Sequence, residues 1–250
     1  MIPNPILKVL STFEKSGVRH LLMGGQACVL YGAAEFSRDM DATVLASPAN
    51  LDRLRSALDE LQAEVIAVPP FKVEYLERGH AVHFRCAAPG TDRIRVDVMS
   101  KMRGVAGFDE LWSRRTTMTL HGAVEASLLS LPDLIAAKKT QRDKDWPMIR
   151  SLVEVNYENF FDAPNPARVR FWLNELRTPE LLVEAASRFP AEARDAATQR
   201  PLLVHASSGD LDAVRKGLEE EMAREREADR AYWAPLRKEL EELRRNRGRD

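Results

Sequence analysis

A chain of 250 residues, 44% hydrophobic and 30% charged, has the composition of a globular protein long enough for one large domain or two modest ones with buried cores. Its 37 Lys and Arg nearly balance its 38 Asp and Glu, which removes any global electrostatic reason to bind nucleic acid or a membrane surface. Two cysteines, Cys28 and Cys86, stand in no CxxC-like spacing and argue against a disulfide scaffold or a zinc site, and no apolar run is long enough to span a bilayer. A cytoplasmic protein with reduced thiols and no membrane partner is therefore expected. The opening Met1-Ile2-Pro3-Asn4-Pro5 lacks a basic segment followed by an apolar one and does not read as a leader.

In chain order, Ile6, Val9, Leu10 and Phe13 recur at helical spacing, and Gly17 closes that helix. His20 to Met23 reads as a short apolar strand running into Gly24-Gly25, after which 26–31 is helical. Residues 39–45 alternate: Met40, Ala42 and Val44 face one way, Asp39, Asp41 and Thr43 the other. Pro48 opens a helix with Leu51, Leu54, Leu58 and Leu61 on its buried stripe. Strands are predicted over 73–76, 81–86 and 94–99, with turns at Arg78-Gly79-His80 and 88–91, and two more over 116–120 and 124–129. From Leu131 the pattern is helical, with a second helix over about 144–155. The Asn-, Pro- and Asp-rich 156–166 reads as a linker. Beyond it everything is helical, ending in a charged amphipathic stretch with Val214, Leu218, Met222, Leu236, Leu240 and Leu243 apolar and Pro235 within it, as one long helix or a kinked pair. That stripe is a packing seam, within the chain or against a second copy or a partner protein. The expected fold is α+β: a mixed sheet of about five strands flanked by helices over 1–156, then an all-helical region over 157–250.

The chemistry concentrates between Gly24 and Asp41. A strand ending in two glycines before a helix turns tightly and leaves room for close approach, and the first N–H groups of a helix suit phosphate. Asp39 and Asp41, two apart on a strand, point to one face. Two such charges about 4 Å apart repel by about 4 kcal/mol at an effective dielectric near 20, a cost relieved by a cation between them. Oxygen ligands beside phosphates suit Mg²⁺ or Mn²⁺. In Arg93-Ile94-Arg95-Val96-Asp97-Val98-Met99 the apolar residues share one face and Arg95 and Asp97 the other. A third acid, Asp97, completes the cluster if the two strands are neighbours, and it is then the natural proton acceptor for an attacking hydroxyl.

Gly-Gly, a spacer, Asp-x-Asp on a strand and a later Asp on a second strand resemble the polymerase-β-type nucleotidyltransferase superfamily, and within it the AbiEii/MenA-like branch that includes toxins of bacterial toxin–antitoxin systems. Leu134-Ile135-Ala136-Ala137-Lys138, Arg142 and Lys144-Asp145 resemble that branch's downstream helical motif. The resemblance covers about 17–152. It implies metal ligation by Asp39, Asp41 and Asp97, nucleotide contacts by Gly24, Gly25, Ser37 and Lys138, and transfer of a nucleoside monophosphate from a nucleoside triphosphate to a hydroxyl of RNA, a protein or a small molecule. The chain departs from the branch at Gln26, where a small hydroxyl residue is frequent, and at Glu35, where many members carry arginine.

Plainer readings stand beside these. Asp97 pairs with Arg95 as an exposed strand residue; Asp145 caps its helix or pairs with Arg142; Lys138 and Lys139 adjoin, and one is a solvated helix lysine. His80 and His83, three apart on a strand, fall on opposite faces and do not make a zinc site. Two functional alternatives follow: a toxin-like enzyme acting on tRNA through a groove of Arg93, Arg95, Lys101 and Arg103, or a non-catalytic protein of this fold that binds a partner through its charged C-terminal helices.

Overall fold

The computed structural model describes residues 4–121 and 124–247. Residues 1–3, part of the opening stretch read above as lacking a leader, lie outside them. By contact the chain separates into two compact units, Met1–Ala137 with Ala231–Asp250, and Lys138–Arg230. No helix among the described residues is long and apolar enough to cross a membrane.

The first unit is built on a seven-stranded mixed sheet: β1 (His20–Met23), β2 (Met40–Val44), β3 (Ala63–Val65), β4 (Val82–Cys86), β5 (Arg95–Met99), β6 (Thr116–Thr119) and β7 (Glu125–Leu128), in the order β3-β4-β5-β2-β1-β7-β6. β2 runs parallel to β5, and β1 parallel to β7; the remaining neighbours are antiparallel. The α+β class holds, with seven strands where about five were expected. The alternation in β2, β4 and β5 decides which face is dry. Met40, Ala42, Val44, Val82, Phe84, Cys86, Val96 and Val98 are all buried, and the register pairs Met40 with Val96, Phe84 with Val96, and Ala42 with Val98. A one-residue slip would turn this whole set to the opposite face, so burial fixes the register.

Helices α1 (Asn4–Lys15), α2 (Gly24–Leu30), α3 (Pro48–Glu60), α4 (Val73–Arg78), α5 (Phe108–Ser113) and α6 (Leu131–Lys138) complete this unit, save that Lys138 is counted with the second. The α1 stripe Ile6, Val9, Leu10 and Phe13 is buried as its spacing predicts. Ser47 caps α3 by accepting from the Asn50 amide, and Pro48 follows in the first turn. Asn50, 1% exposed, accepts from the Arg19 amide at 2.7 Å and donates to the Arg19 and Leu45 carbonyls at 3.0 and 2.9 Å, tying α3 to the ends of β1 and β2. Tyr31, just past α2, bonds through its hydroxyl to the Leu129 carbonyl and the Thr116 hydroxyl, and burial pushes its pKa up to about 12.

The strand expected over 73–76 is a helix. Its four residues are too few to separate a period of 2 from 3.6, and the chain reads instead from its end: Gly79, at φ +103, forms a left-handed C-cap in which the Gly79 and His80 amides bond back to Leu76 and Tyr75.

The second unit is helical: α7 (Asp145–Phe160), α8 (Pro166–Glu175), α9 (Pro179–Arg188), α10 (Pro190–Ala196), α11 (Leu202–Ser208) and the part of α12 (Leu211–Arg247) up to Arg230. Of the linker expected over 156–166, the first part, 156–160, lies inside α7, and with it the boundary at 156; 161–165 connects α7 to α8. That helix continues to Phe160 because Tyr157 lies on its buried side, 5.0 Å from the Trp172 ring, while the Trp172 indole donates to Asn156 at 2.9 Å. α8, α9 and α10 begin on proline and α11 has Pro201 as its cap, positions where the missing N–H costs nothing. α12 is one helix with Pro235 inside it, and Val214 and Leu218 of its apolar stripe are buried within the chain.

A buried arginine holds the second unit. Arg200, 7% exposed, donates to the Leu173 and Leu176 carbonyls at 2.8 and 3.1 Å, so it satisfies the C-terminal end of α8. It also forks onto Glu221 of α12 at 2.9 and 2.8 Å. Burial works to raise the Glu221 pKa, but the bonds and charge of Arg200, joined by Arg177, hold it below the ordinary carboxylate range. Removing one member of a buried pair strands the other. Arg200→Leu is expected to cost the second unit about 3–5 kcal/mol in urea unfolding with an unchanged slope, and a loss within 1 kcal/mol would show that Arg200 is not buried against Glu221.

Candidate functional site

β2 and β5 are adjacent and parallel, with Asp41 opposite Asp97. Residues opposite one another on neighbouring strands project to the same face, so the pairing that stacks Met40 on Val96 in the core stacks Asp41 on Asp97 on the other side. β4 runs antiparallel along the far edge of β5 and places His83 opposite Asp97 as well. Met23 lies opposite Asp41 on β1, and Gly24 follows at once. The sheet thus brings Asp41, Asp97 and the start of α2 together, as the sequence predicts.

The glycines earn their place by contact. Gly24 has φ +64, and a Cβ there would lie 1.9 Å from Asp41 Oδ2, so the Asp41 side chain packs against the bare Cα. A Cβ on Gly25 would lie 2.4 Å from Ser37 Oγ. Gln26, fully buried, donates its Nε2 to the Ser37 carbonyl at 2.7 Å, and Ser37 donates its hydroxyl to the Asp39 carbonyl at 3.2 Å. The departure at Gln26 therefore has a structural use: its long amide latches α2 onto the loop that carries Ser37 and Asp39. Its Oε1 is buried with no hydrogen-bond partner among the described residues. Nothing in the structure explains Glu35.

Asp97 is not an open carboxylate. Arg95, two residues earlier on the same face, donates Nε to Oδ1 and Nη2 to Oδ2, both at 2.7 Å. His83 Nδ1 stands 2.9 Å from Asp97 Oδ1 and 3.0 Å from Arg95 Nη2. A neutral ring accepts there from Arg95, and a protonated one donates to Asp97. Partial burial works to raise the Asp97 pKa, but the bonds and charges of His83 and Arg95 together hold it below the ordinary range. Arg95 is held charged first by its bonds to Asp97 and then, against the cost of burial, by the charges of Asp97, Asp39 and Asp41. One guanidinium thus grips Asp97 and feels the charges of the other two acids, and Arg95 is not part of an open basic groove.

The donor set suits a hard divalent cation in kind, being all oxygen, and in placement, since Asp41 and Asp97 are in register. As arranged, however, both Asp97 oxygens are engaged, and among the described residues no group of three or more His, Cys, Asp or Glu side chains stands ready to hold a metal ion.

Lys138, assigned to phosphate by resemblance, belongs to the second unit, is 8% exposed and lies 3.6 Å from Asp145. Asp145 also accepts from Arg142 Nε at 2.7 Å and from the Thr140 hydroxyl at 2.6 Å, so its pairing role is the observed one. Lys139 pairs with Glu175. His80 is buried against Glu239 of α12 at 2.7 Å, away from any cysteine or histidine cluster among the described residues. Sequence reasoning missed His83 as a member of the site; the signal lay in the β4–β5 register, which no single-strand pattern carries.

No family model matches the chain, and no curated protein does. Among solved structures, an H. pylori protein provisionally assigned as a nucleotidyltransferase superposes with a TM-score of 0.40 at 14% identity, over 86% of this chain and 94% of that one. So loose a correspondence leaves the functional reading to the side chains.

The packing of Gly24 on Asp41 has a measurable consequence. Gly90, at φ +79, has nothing within 4 Å of its would-be Cβ. Gly90→Ala should cost about 1–2 kcal/mol from the left-handed backbone alone, and Gly24→Ala about 1–3 kcal/mol more for the displaced Asp41. Equal losses in chemical denaturation would mean that Asp41 does not touch Gly24.

Proposed function

We propose that the first unit is a nucleotidyltransferase that moves a nucleoside monophosphate from a nucleoside triphosphate to a hydroxyl acceptor, with Mg²⁺ or Mn²⁺ held by Asp39, Asp41 and Asp97. The observation that carries this reading is the in-register Asp41–Asp97 pair with Gly24 packed on Asp41. Three carboxylates beside a glycine turn are costly to build and useful for little except gathering cations and phosphates.

When bound, the metal supplies positive charge against the triphosphate and lowers the pKa of the attacking hydroxyl. The protein does the rest. Gly24, Gly25 and Ser37 border the phosphates, and the Gln26 latch keeps the Ser37–Asp39 loop against α2. The acceptor oxygen bonds to the α-phosphorus, pyrophosphate leaves, and the hydroxyl proton passes to a carboxylate. Asp97 is a weak base while Arg95 grips it, because a carboxylate held below its ordinary pKa gives a poor driving force for proton uptake. The general-base role therefore belongs to Asp97 only after Arg95 has moved.

The Arg95 grip also supports a second reading, a protein of this fold whose acid cluster is neutralised internally and which binds a partner without transfer. One experiment separates the two: incubation with triphosphates labelled at the α-phosphate, cell RNA and lysate, comparing wild type with Asp39→Ala and Asp41→Ala. Transfer is expected in the wild type and a loss of more than about a hundredfold in each variant, beyond what an outer-shell change costs. Label in RNA would favour the toxin-like, tRNA-directed form. No label in any acceptor with any triphosphate would leave the non-catalytic reading.

A further inference from the structure

We propose that Arg95 is an internal counter-cation that competes with a divalent metal for Asp97, so that loading of the acid cluster requires the guanidinium to turn away. The proposal rests on the reading of the cluster as a cation site. Its own ground is different: both oxygens of Asp97 are already gripped by a charge belonging to the chain. The grip is a planar two-bond fork, 2.7 Å on each oxygen, which matches carboxylate geometry and which a lysine cannot reproduce. Asp39 and Asp41 act on the same guanidinium, so it balances the whole cluster.

The same geometry provides the way out. Arg95 is 37% exposed at its side chain, against 17% for Asp97, so the guanidinium can reach water while the acid stays. Arg85 stands opposite Arg95 on β4, and like charges directly opposite one another repel. His83 offers Arg95 only its one ring nitrogen. The clamp on Asp97 is thus tight, yet Arg85 beside it on β4 opposes it, and an incoming ion replaces one positive charge by two.

The test titrates Mn²⁺ into the whole protein and reads unbound Mn²⁺ by electron paramagnetic resonance, for wild type, Arg95→Gln, Arg95→Lys and Asp41→Asn. Arg95→Gln, which keeps a polar donor but loses the charge, should bind Mn²⁺ at least about tenfold more tightly than wild type. Arg95→Lys should fall between them, and Asp41→Asn should bind more weakly than wild type. In wild-type protein, Mg²⁺ should shift and broaden the assigned Arg95 guanidinium Nε–H resonance, a readout that does not depend on any variant folding well. Saturable, Asp41-dependent binding in the wild type with no tightening in Arg95→Gln would overturn the competition while leaving the cation site standing. No binding by wild type or Arg95→Gln would overturn both.

Discussion

The fork of Arg95 on Asp97, set beside Asp41, is the contact on which the polar face of the sheet depends. Two carboxylates fixed opposite each other on neighbouring strands, with a third just before one of them, repel by a few kcal/mol per pair at the dielectric of a half-buried site. A sheet does not hold such a group unless positive charge sits with it. Arg95 supplies that charge from the same strand, at the shortest separation that keeps two side chains on one face. The dry face leaves little choice: Met40, Val96, Phe84 and Val98 bury in one register only, and that register sets Asp41, Asp97 and His83 side by side.

Around this contact the local structure is arranged to hold the acids in place. Gly24 lets α2 start directly against Asp41. The buried Gln26 amide and the close seat of Ser37 on Gly25 hold the loop before β2, which carries Asp39. Asn50 ties α3 to the ends of β1 and β2, and Tyr31 ties the end of α2 to Thr116 of β6 and to Leu129 just past β7. The buried amides of Gln26 and Asn50 each donate to backbone carbonyls, which fixes the elements around the acids.

Much of this was legible in the sequence. Alternation marked β2 and β5, short β-branched and aromatic runs between turns marked β4, the helical stripes marked α1 and α3, and the glycine pair marked the junction at β1. The three acids followed from which face each strand would bury. The parts that were not legible depend on neighbours. His83 joins Asp97 only through the pairing of β4 with β5. α4 looks like a strand because Val73 to Leu76 are too few to show a period, and β3 is a three-residue edge strand with no pattern at all. The stretch after Asn156 has a linker's composition, yet the packing of Tyr157 on Trp172 keeps its first turn helical. Arg95 was visible as a partner for Asp97; that the same guanidinium also balances Asp39 and Asp41 required the register.

The most direct measurement is a double-mutant cycle in chelator, with chemical denaturation of wild type, Arg95→Gln, Asp41→Asn and the double variant. If one guanidinium balances converging acids, Arg95→Gln is destabilising and Asp41→Asn restores stability in its background, with a coupling of about 1 kcal/mol or more. Additive effects, with Asp41→Asn acting alike in both backgrounds, would show that Asp41 lies outside the reach of Arg95 and that the three acids do not form one cluster.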